Sequence, residues 1–424
     1  MDPRVPRGMS GGFTVRRLAW SDPELGATPS AGKPIPIVAG FGSGLSRRRG
    51  DPPGIVWAVG DRGPNFKVET AVERFGLSHF QILDVGAGAK IMPRLDLGPA
   101  LAELRVLRDR VELVRSMPIA DPRGRPISGL PVPRGAHAEC EPALDLDGRP
   151  IPPDPGGADS EGIAALADGG FWVGDEYGPS LLRLGPDGRI LWRWVPAGQE
   201  PLFEGAGYPV EPALPAIAAA RRLNRGFEAI ALSADEQWLY LAFQSPLAHP
   251  DEQAHAEAAH VRLWRLDAGS GAVTAQYLYP LDSPDSFRRD SAKGPLEKSD
   301  LKVSEIILDG ADALLVLERG SETTKIYRIA LDPAAVIPDE HLDIDTRPTL
   351  EELSAGGDPG LPVLAKTLIF SSDDAPEVAA DLEGMAILSR TELLLVNDND
   401  FGVEGAETSF WVVSFDRPMF EAPA

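Results

Sequence analysis

Four stretches of this chain repeat one design: an acid, a short apolar run, a turn, a second apolar run and a closing polar group. They are DSEGIAALADGGFWVGDEYG from Asp159, NRGFEAIALSADEQWLYLAFQS from Asn224, LKVSEIILDGADALLVLERG from Leu301 and DLEGMAILSRTELLLVNDND from Asp381. The opening acids are Glu161, Glu228, Glu305 and Glu383, and the closing groups are Asp175 with Glu176, Gln244, Glu318 and Asp398. A weaker fifth copy, GFGSGLSRRRGDPPGIVWAVGDRGPN from Gly40, keeps only the closing acid, Asp61. Two short strands cannot bury both of their faces alone, so units recurring along the chain must stack on one another. Four-stranded sheets arranged radially, as in a β-propeller, are the economical solution.

The other apolar runs agree with an all-β chain. GIVWAVG, GFWVG, WLYLAFQ, ALLVLE, ELLLVN and SFWVVSF are short and bounded by Gly, Asp, Asn or Pro. With 44 glycines and 41 prolines in 424 residues, turn formers are plentiful enough for many short strands. Two short Ala-rich helices are predicted, from Pro212 to Asn224 and from Asp251 to His260. The repeat is longer than the roughly 40 to 50 residues of familiar propeller repeats, so long inter-strand loops are expected. Glu103 to Ile119 reads as strands of a further blade, and Gly148 to Gly157 as a proline-rich loop. Six blades are expected, with five or seven close behind. Residues 1–20 form an N-terminal segment able to supply a ring-closing strand, and 21–424 a single propeller domain.

Charge narrows the partners. Sixty-four acids against 41 bases leave a net charge of −23, which disfavours nucleic acid and anionic membranes, since both need Lys and Arg to neutralise phosphate. The single cysteine, Cys140, excludes an intramolecular disulfide and a multi-cysteine zinc site, and its surroundings, AHAECEP, carry no catalytic cysteine signature. No stretch approaches the roughly 18 to 20 apolar residues of a membrane-spanning helix. The start, MDPRVPRGMSGG, has no apolar core of a secretory signal, so export would rely on a leader outside this sequence. A disulfide-free chain suits either the cytoplasm or a bacterial envelope.

In a propeller, equivalent positions of successive blades meet around the axis. That would gather Asp61, Glu161, Glu176, Glu228, Glu305, Glu318, Glu383 and Asp398 at one mouth of the channel. Like charges at that distance raise one another's pKa, and a hard divalent cation relieves them. Oxygen-only ligands suit Ca²⁺, the first expectation, or Mg²⁺ or Mn²⁺. Turn chemistry explains Asp, Asn and Gly after a strand but does not call for Glu before one. Gly after Glu161 and Glu383 would permit close backbone approach. Arg62, Asn65, Tyr177, Arg225, Arg319 and Lys325 are candidate substrate-binding groups, the arginines matching phosphate or carboxylate by their planar fork. His137, His249, His255 and His260 form no HExxH motif. GFGSGLS lacks the strand-loop-helix context of a phosphate loop, and no GxSxG is present.

Through GGADSEGIAALADGGFWVGDEYGPSLLRLGPDGRI, NRGFEAIALS and DLEGMAIL…LLLVNDNDFG, the chain resembles the bacterial family called phytase-like, or "esterase-like activity of phytase", from about Gly40 to Phe415. The resemblance implies a β-propeller with acidic residues at its centre, export to the periplasm or medium, and metal-dependent phosphoesterase activity. It also implicates Glu161, Asp175, Glu176, Glu228, Glu383, Asp398 and Asp400 in metal binding. The first copy departs from the pattern, with Gly44 where an opening acid is expected. The expected function is hydrolysis of phosphate mono- or diesters by a monomer acting on a small-molecule ester. Glu161, Glu176, Glu383 and Asp398 are the expected catalytic groups. A Ca²⁺-dependent carboxylic ester or lactone hydrolase and a non-catalytic, metal-stabilised binding propeller are the alternatives, because fold alone does not choose among them.

Overall fold

The computed structural model describes residues 12–84, 86, 88–135 and 141–421; His137 and Cys140 lie outside the described residues. A strand with one wet face alternates apolar and polar residues, whereas the runs here are apolar at nearly every position, so both faces must be covered. The strand Glu392–Asn397 shows how. Leu393 and Leu395 pack in a cluster with Leu315, Leu317 and Phe370, while Leu394 and Val396 pack in another with Val56, Ala58 and Leu104.

Five antiparallel sheets follow from this pattern. The first holds Gly44–Ser46, Ile55–Val59, Ala100–Val106 and Val111–Pro118. The second holds Ser160–Ala165, Phe171–Asp175, Ser180–Leu184 and Ile190–Pro196, with Val210–Leu214 added in parallel at its edge. The third holds Ala229–Leu232, Trp238–Ala242, His260–Asp267 and Val273–Pro280. The fourth holds Lys302–Leu308, Ala313–Arg319, Thr324–Ala330 and Lys366–Ser371. Leu382–Ser389, Glu392–Asn397, Phe410–Phe415 and the N-terminal strand Phe13–Leu18 form the fifth. In that last pairing Phe13 lies opposite Phe415 and Leu18 opposite Phe410.

The first strand of each sheet packs against the first strand of the next, and that of the fifth packs against that of the first. Apolar side chains fill the spaces between sheets, such as Trp57 and Val59 with Phe171 and Val173, or Trp172 and Trp194 with Ile230 and Leu239. The chain is therefore mostly β and propeller-like, with few and short helices. Six blades were expected, with five or seven close behind; beside the five sheets above, the described residues form a further four-stranded sheet of another kind. Its strands, Phe66–Lys67, Lys90–Ile91, Ala143–Leu144 and Pro150–Ile151, are two residues long and come from the long connections within and after the first sheet.

Two further expectations are corrected. Glu103 to Ile119 supplies the outer strands of the first sheet, not a separate one. Pro212 to Asn224 is not one helix. Pro215 disfavours helical backbone at the residue before it, and the segment divides into the edge strand ending at Leu214 and a 3-10 turn, Ala216–Ala220. The other helix forms over Glu252–Glu257, where Asp251 caps the backbone N–H of Ala254. Among the described residues no helix is long and apolar enough to cross a membrane.

Candidate active site

The five first strands begin at one end of the molecule, and the second strands end there. At that end lies a polar cavity of about 120 Å³. The first sheet contributes Ser43 and, after its second strand, Asp61, Arg62 and Asn65. Asp159, Glu161 and Glu176 come from the second sheet, and Asn224, Arg225, Glu228 and Gln244 from the third. The fourth supplies Lys302 and Arg319, and the fifth Asp381, Glu383, Asp398 and Asp400. Lys90, from the small sixth sheet, reaches the same cavity.

Two groups of carboxylates stand out in the walls. Carboxylate oxygens of Asp61, Asp159 and Glu161 lie within 4.8 Å of one another, and so do those of Asp61, Asp398 and Asp400. Asp61 thus belongs to both groups. Burial, then the neighbouring charge of Asp159, pushes the Asp61 carboxyl well above the usual range. Burial and the charge of Asp61 do the same to Glu161. Asp398 is pushed up to about 7 by burial and by Asp400. Asp159 Oδ1 and Asp398 Oδ1 are buried without a hydrogen-bond partner. Arg62 Nη1 donates to Glu141 at 2.8 Å and lies 3.4 Å from Asp159.

The cavity also carries Arg225, Lys302 and Arg319. Arg319 is committed, its guanidinium bonding Asp381, Glu383 and Ser304 Oγ. Arg225 Nη1 donates to Gln244 Oε1 at 3.3 Å, and Gln244 donates in turn to Glu228. The Lys302 ammonium is held below its usual pKa, first by the charge of Arg319 and then by burial. The Glu176 pKa is raised well above the usual range by burial and by Glu228.

Of the residues expected from sequence, Asp61, Glu161, Glu176, Glu228, Glu383, Asp398 and Asp400 line the cavity, with Arg62, Asn65, Arg225 and Arg319. Five do not. Asp175 is fully buried behind the wall, bonded to Arg193, to Ser180 Oγ at 2.9 Å and to the backbone N–H of Asp159 at 2.9 Å. The Tyr177 hydroxyl turns away to the backbone of Glu141. Glu318 and Lys325 join a separate buried network. Glu318 accepts from Tyr279 and Lys366, each at 2.6 Å, and Lys325 donates to Asp282 at 2.8 Å.

Glu305 is displaced for a reason of register. Ser160 pairs with Asp175, Leu382 with Asn397 and Val303 with Glu318, so Ser304, not Glu305, matches Glu161 and Glu383. Glu305 falls at the level of Gly162 and Gly384. There it sits beneath the cavity, fully buried, with Oε2 accepting from the backbone N–H of Leu45 at 3.0 Å.

The same register shows what sequence reasoning missed. DSEGI, DLEGM and KVSEI align without gaps, placing Lys302 level with Asp159 and Asp381. The alternation Asp-x-Glu-Gly was the available signal. Ser43, Lys90 and Asn224 carried none, whereas Gln244 had appeared only as the closing group of the third repeat.

The description "Phytase-like: Esterase-like activity of phytase" matches residues 37–401. An uncharacterized secreted protein of Arthroderma benhamiae is 26% identical over 343 residues, covering 69% of this chain. The chain spans only 62% of that relative's length. Among solved structures, a luciferin-regenerating enzyme aligns over 97% of this chain and 98% of its own at 11% identity, with a TM-score of 0.35. A gluconolactonase of Xanthomonas campestris aligns over 94% and 100% at 11% identity, with a TM-score of 0.33.

Proposed function

The chain belongs to the phytase-like family, and on that premise we propose that its polar mouth is the active site of a metal-assisted hydrolase of phosphate esters. The observation that carries this reading is the gathering in one small cavity of two carboxylate groups sharing Asp61 and of the cations Arg225 and Lys302. Asp61, Asp159, Glu161, Asp398 and Asp400 would hold the cation, and their oxygen-only chemistry favours Ca²⁺. The unpartnered oxygens of Asp159 and Asp398 support that fit. Such an ion, when bound, supplies Lewis acidity and neutralises the acids that would otherwise repel phosphate.

The remaining roles belong to the chain. Lys302 and Arg225 face the acids and donate to phosphoryl oxygens. Lys302 therefore takes the place expected for Lys325. Arg319, tied to Asp381 and Glu383, holds the geometry of its wall and positions Glu383. Glu176, whose pKa burial and the charge of Glu228 raise, stands beside this pair and delivers the proton needed at the leaving oxygen. A cavity of about 120 Å³ takes a phosphoryl group and an ion, leaving a large alcohol at the rim. In this reading the five radial sheets are the blades of a closed ring. The secreted relative supports a location outside the cytoplasm.

The test is metal content followed by turnover of an aryl phosphate monoester, a diester, an aryl acetate and a lactone, with and without chelator. Phosphate ester turnover should disappear on chelation and return with Ca²⁺, and Lys302→Met should raise KM at least tenfold. Turnover confined to the acetate or lactone would replace the phosphate assignment with a carboxylic one. A metal-loaded protein inert to all four would leave a binding propeller.

A further inference from the structure

We propose that the opposite end of the axial channel is a second binding site, for an aliphatic monocarboxylate. Below the mouth, the five first strands bring Leu45, Ile163, Ile230, Ile306 and Met385 together, each no more than 2% exposed. They form the inner wall of a cavity of about 290 Å³, against about 120 Å³ for the polar mouth. No described residue lines both cavities, and Glu305 lies between them. The lower cavity is thus a compartment of its own.

Two residues further along the same strands stand Arg47, Ala165, Leu232, Leu308 and Ile387. Four of the five are apolar. The fifth is a guanidinium, whose pKa burial lowers. Arg47 Nη1 reaches the carbonyl of Ile387 at 3.3 Å, while its Nε is buried with no acceptor. An aliphatic side chain would complete this ring without that desolvation cost. A charged donor with an unused N–H, set in an apolar wall, lacks an anionic acceptor, and a carboxylate supplies one.

The neighbouring acids are engaged elsewhere: Asp51, whose charge acts on Arg47, accepts from Trp57 Nε1 at 2.8 Å and lies 3.9 Å from Arg48. Glu236 accepts from the backbone N–H of Ala167 at 2.6 Å. Asp309 is held by Arg328 at 3.2 Å and by the backbone N–H of Glu421 at 2.8 Å. Glu421 lies at the rim, and Arg49 adds a second positive charge there, donating to the carbonyl of Ala234 at 3.1 Å. At about 30 Å³ for a group of water size, the cavity has room for a chain of roughly six to ten carbons.

Titration calorimetry of the full chain with octanoate, octan-1-ol and octylamine tests the site. Octanoate should bind once per chain, at least tenfold more tightly than the alcohol, with the amine weakest. Arg47→Met should cost octanoate tenfold or more and leave octanol unchanged, while Leu308→Trp, which fills the cavity, should abolish both. Asp61→Asn, at the other mouth, should leave octanoate binding intact, which separates this site from the proposed hydrolytic one. The proposal is overturned if octanoate gives no binding at millimolar concentration, if octanol matches it, or if Arg47→Met binds as tightly as the parent protein. Should Arg47→Met fail to fold, the comparison of octanoate with octanol and the Leu308→Trp variant decide the matter.

Discussion

Asp61 belongs to both carboxylate groups, so its loss should weaken cation binding more than the loss of any other single acid. Asp61→Asn is expected to lower Ca²⁺ affinity at least tenfold by calorimetry, about 1.4 kcal/mol. Glu318→Gln is the contrasting substitution. It strips the charge from a buried network that holds Lys366 and Tyr279, so it should lower stability by about 3 kcal/mol yet leave bound Ca²⁺ unchanged. Loss of the metal in that variant, with the fold intact, would return Glu318 to the site. Asp398 makes a prediction about pH. Its folded pKa of about 7 lies above the unfolded value of about 3.9, so between those limits the folded protein binds more protons than the unfolded chain. Stability of the metal-free protein should therefore fall as pH rises from about 4 to about 7, as urea unfolding across that window would show. Asp398→Asn should flatten the slope, and Ca²⁺ should restore most stability at the upper end. A rising curve for the metal-free protein would contradict the assignment.

At the scale of the strand, the glycine that follows the glutamate is as consequential as the glutamate. A Cβ on Gly162 would fall inside van der Waals contact with the carbonyl of Glu228, just before the neighbouring first strand. The approach of the strands around the axis requires that space. Gly162→Ala should cost about 1 to 3 kcal/mol in denaturant unfolding, and an unchanged midpoint would mean the strands can part there without penalty. The fourth sheet meets the same requirement differently, sending the Glu305 side chain into the room left at this level and capping it on the backbone of Leu45. That is why Glu305 could be mistaken for an opening acid. In one dimension it follows the apolar run's approach as Glu161 does, and only pairing of Val303 with Glu318 shows it one step further along.

Across the whole molecule, the fifth sheet joins chain ends that are distant in sequence. Phe13–Leu18 is the outer strand of the fifth sheet, and Phe13 packs edge-on against Phe370 with ring centroids 5.1 Å apart. Removing residues 1–19 should leave Phe410–Phe415 an open edge, lower the Tm by several degrees and increase aggregation on heating. An unaltered Tm would show that the fifth sheet is complete without that strand. The apolar runs that became sheet interiors were legible because a strand covered on both faces must be apolar throughout, and this property is local. The acids at the ends of those runs were legible as a repeat for the same reason. Asp175 and Glu176 illustrate the limit, since adjacent residues on a strand point to opposite faces and nothing local tells which one meets the cavity. The structure turns Glu176 into the mouth and Asp175 onto Arg193. Lys302 and Arg319 on the fourth sheet, facing acids contributed by the other sheets, exist as a pattern only after the sheets assemble. Composition and repetition determined the strands, their number of runs and the acidic character of their ends; register and the order of sheets around the axis decided which charges meet, because those depend on pairing between segments that the chain itself keeps far apart.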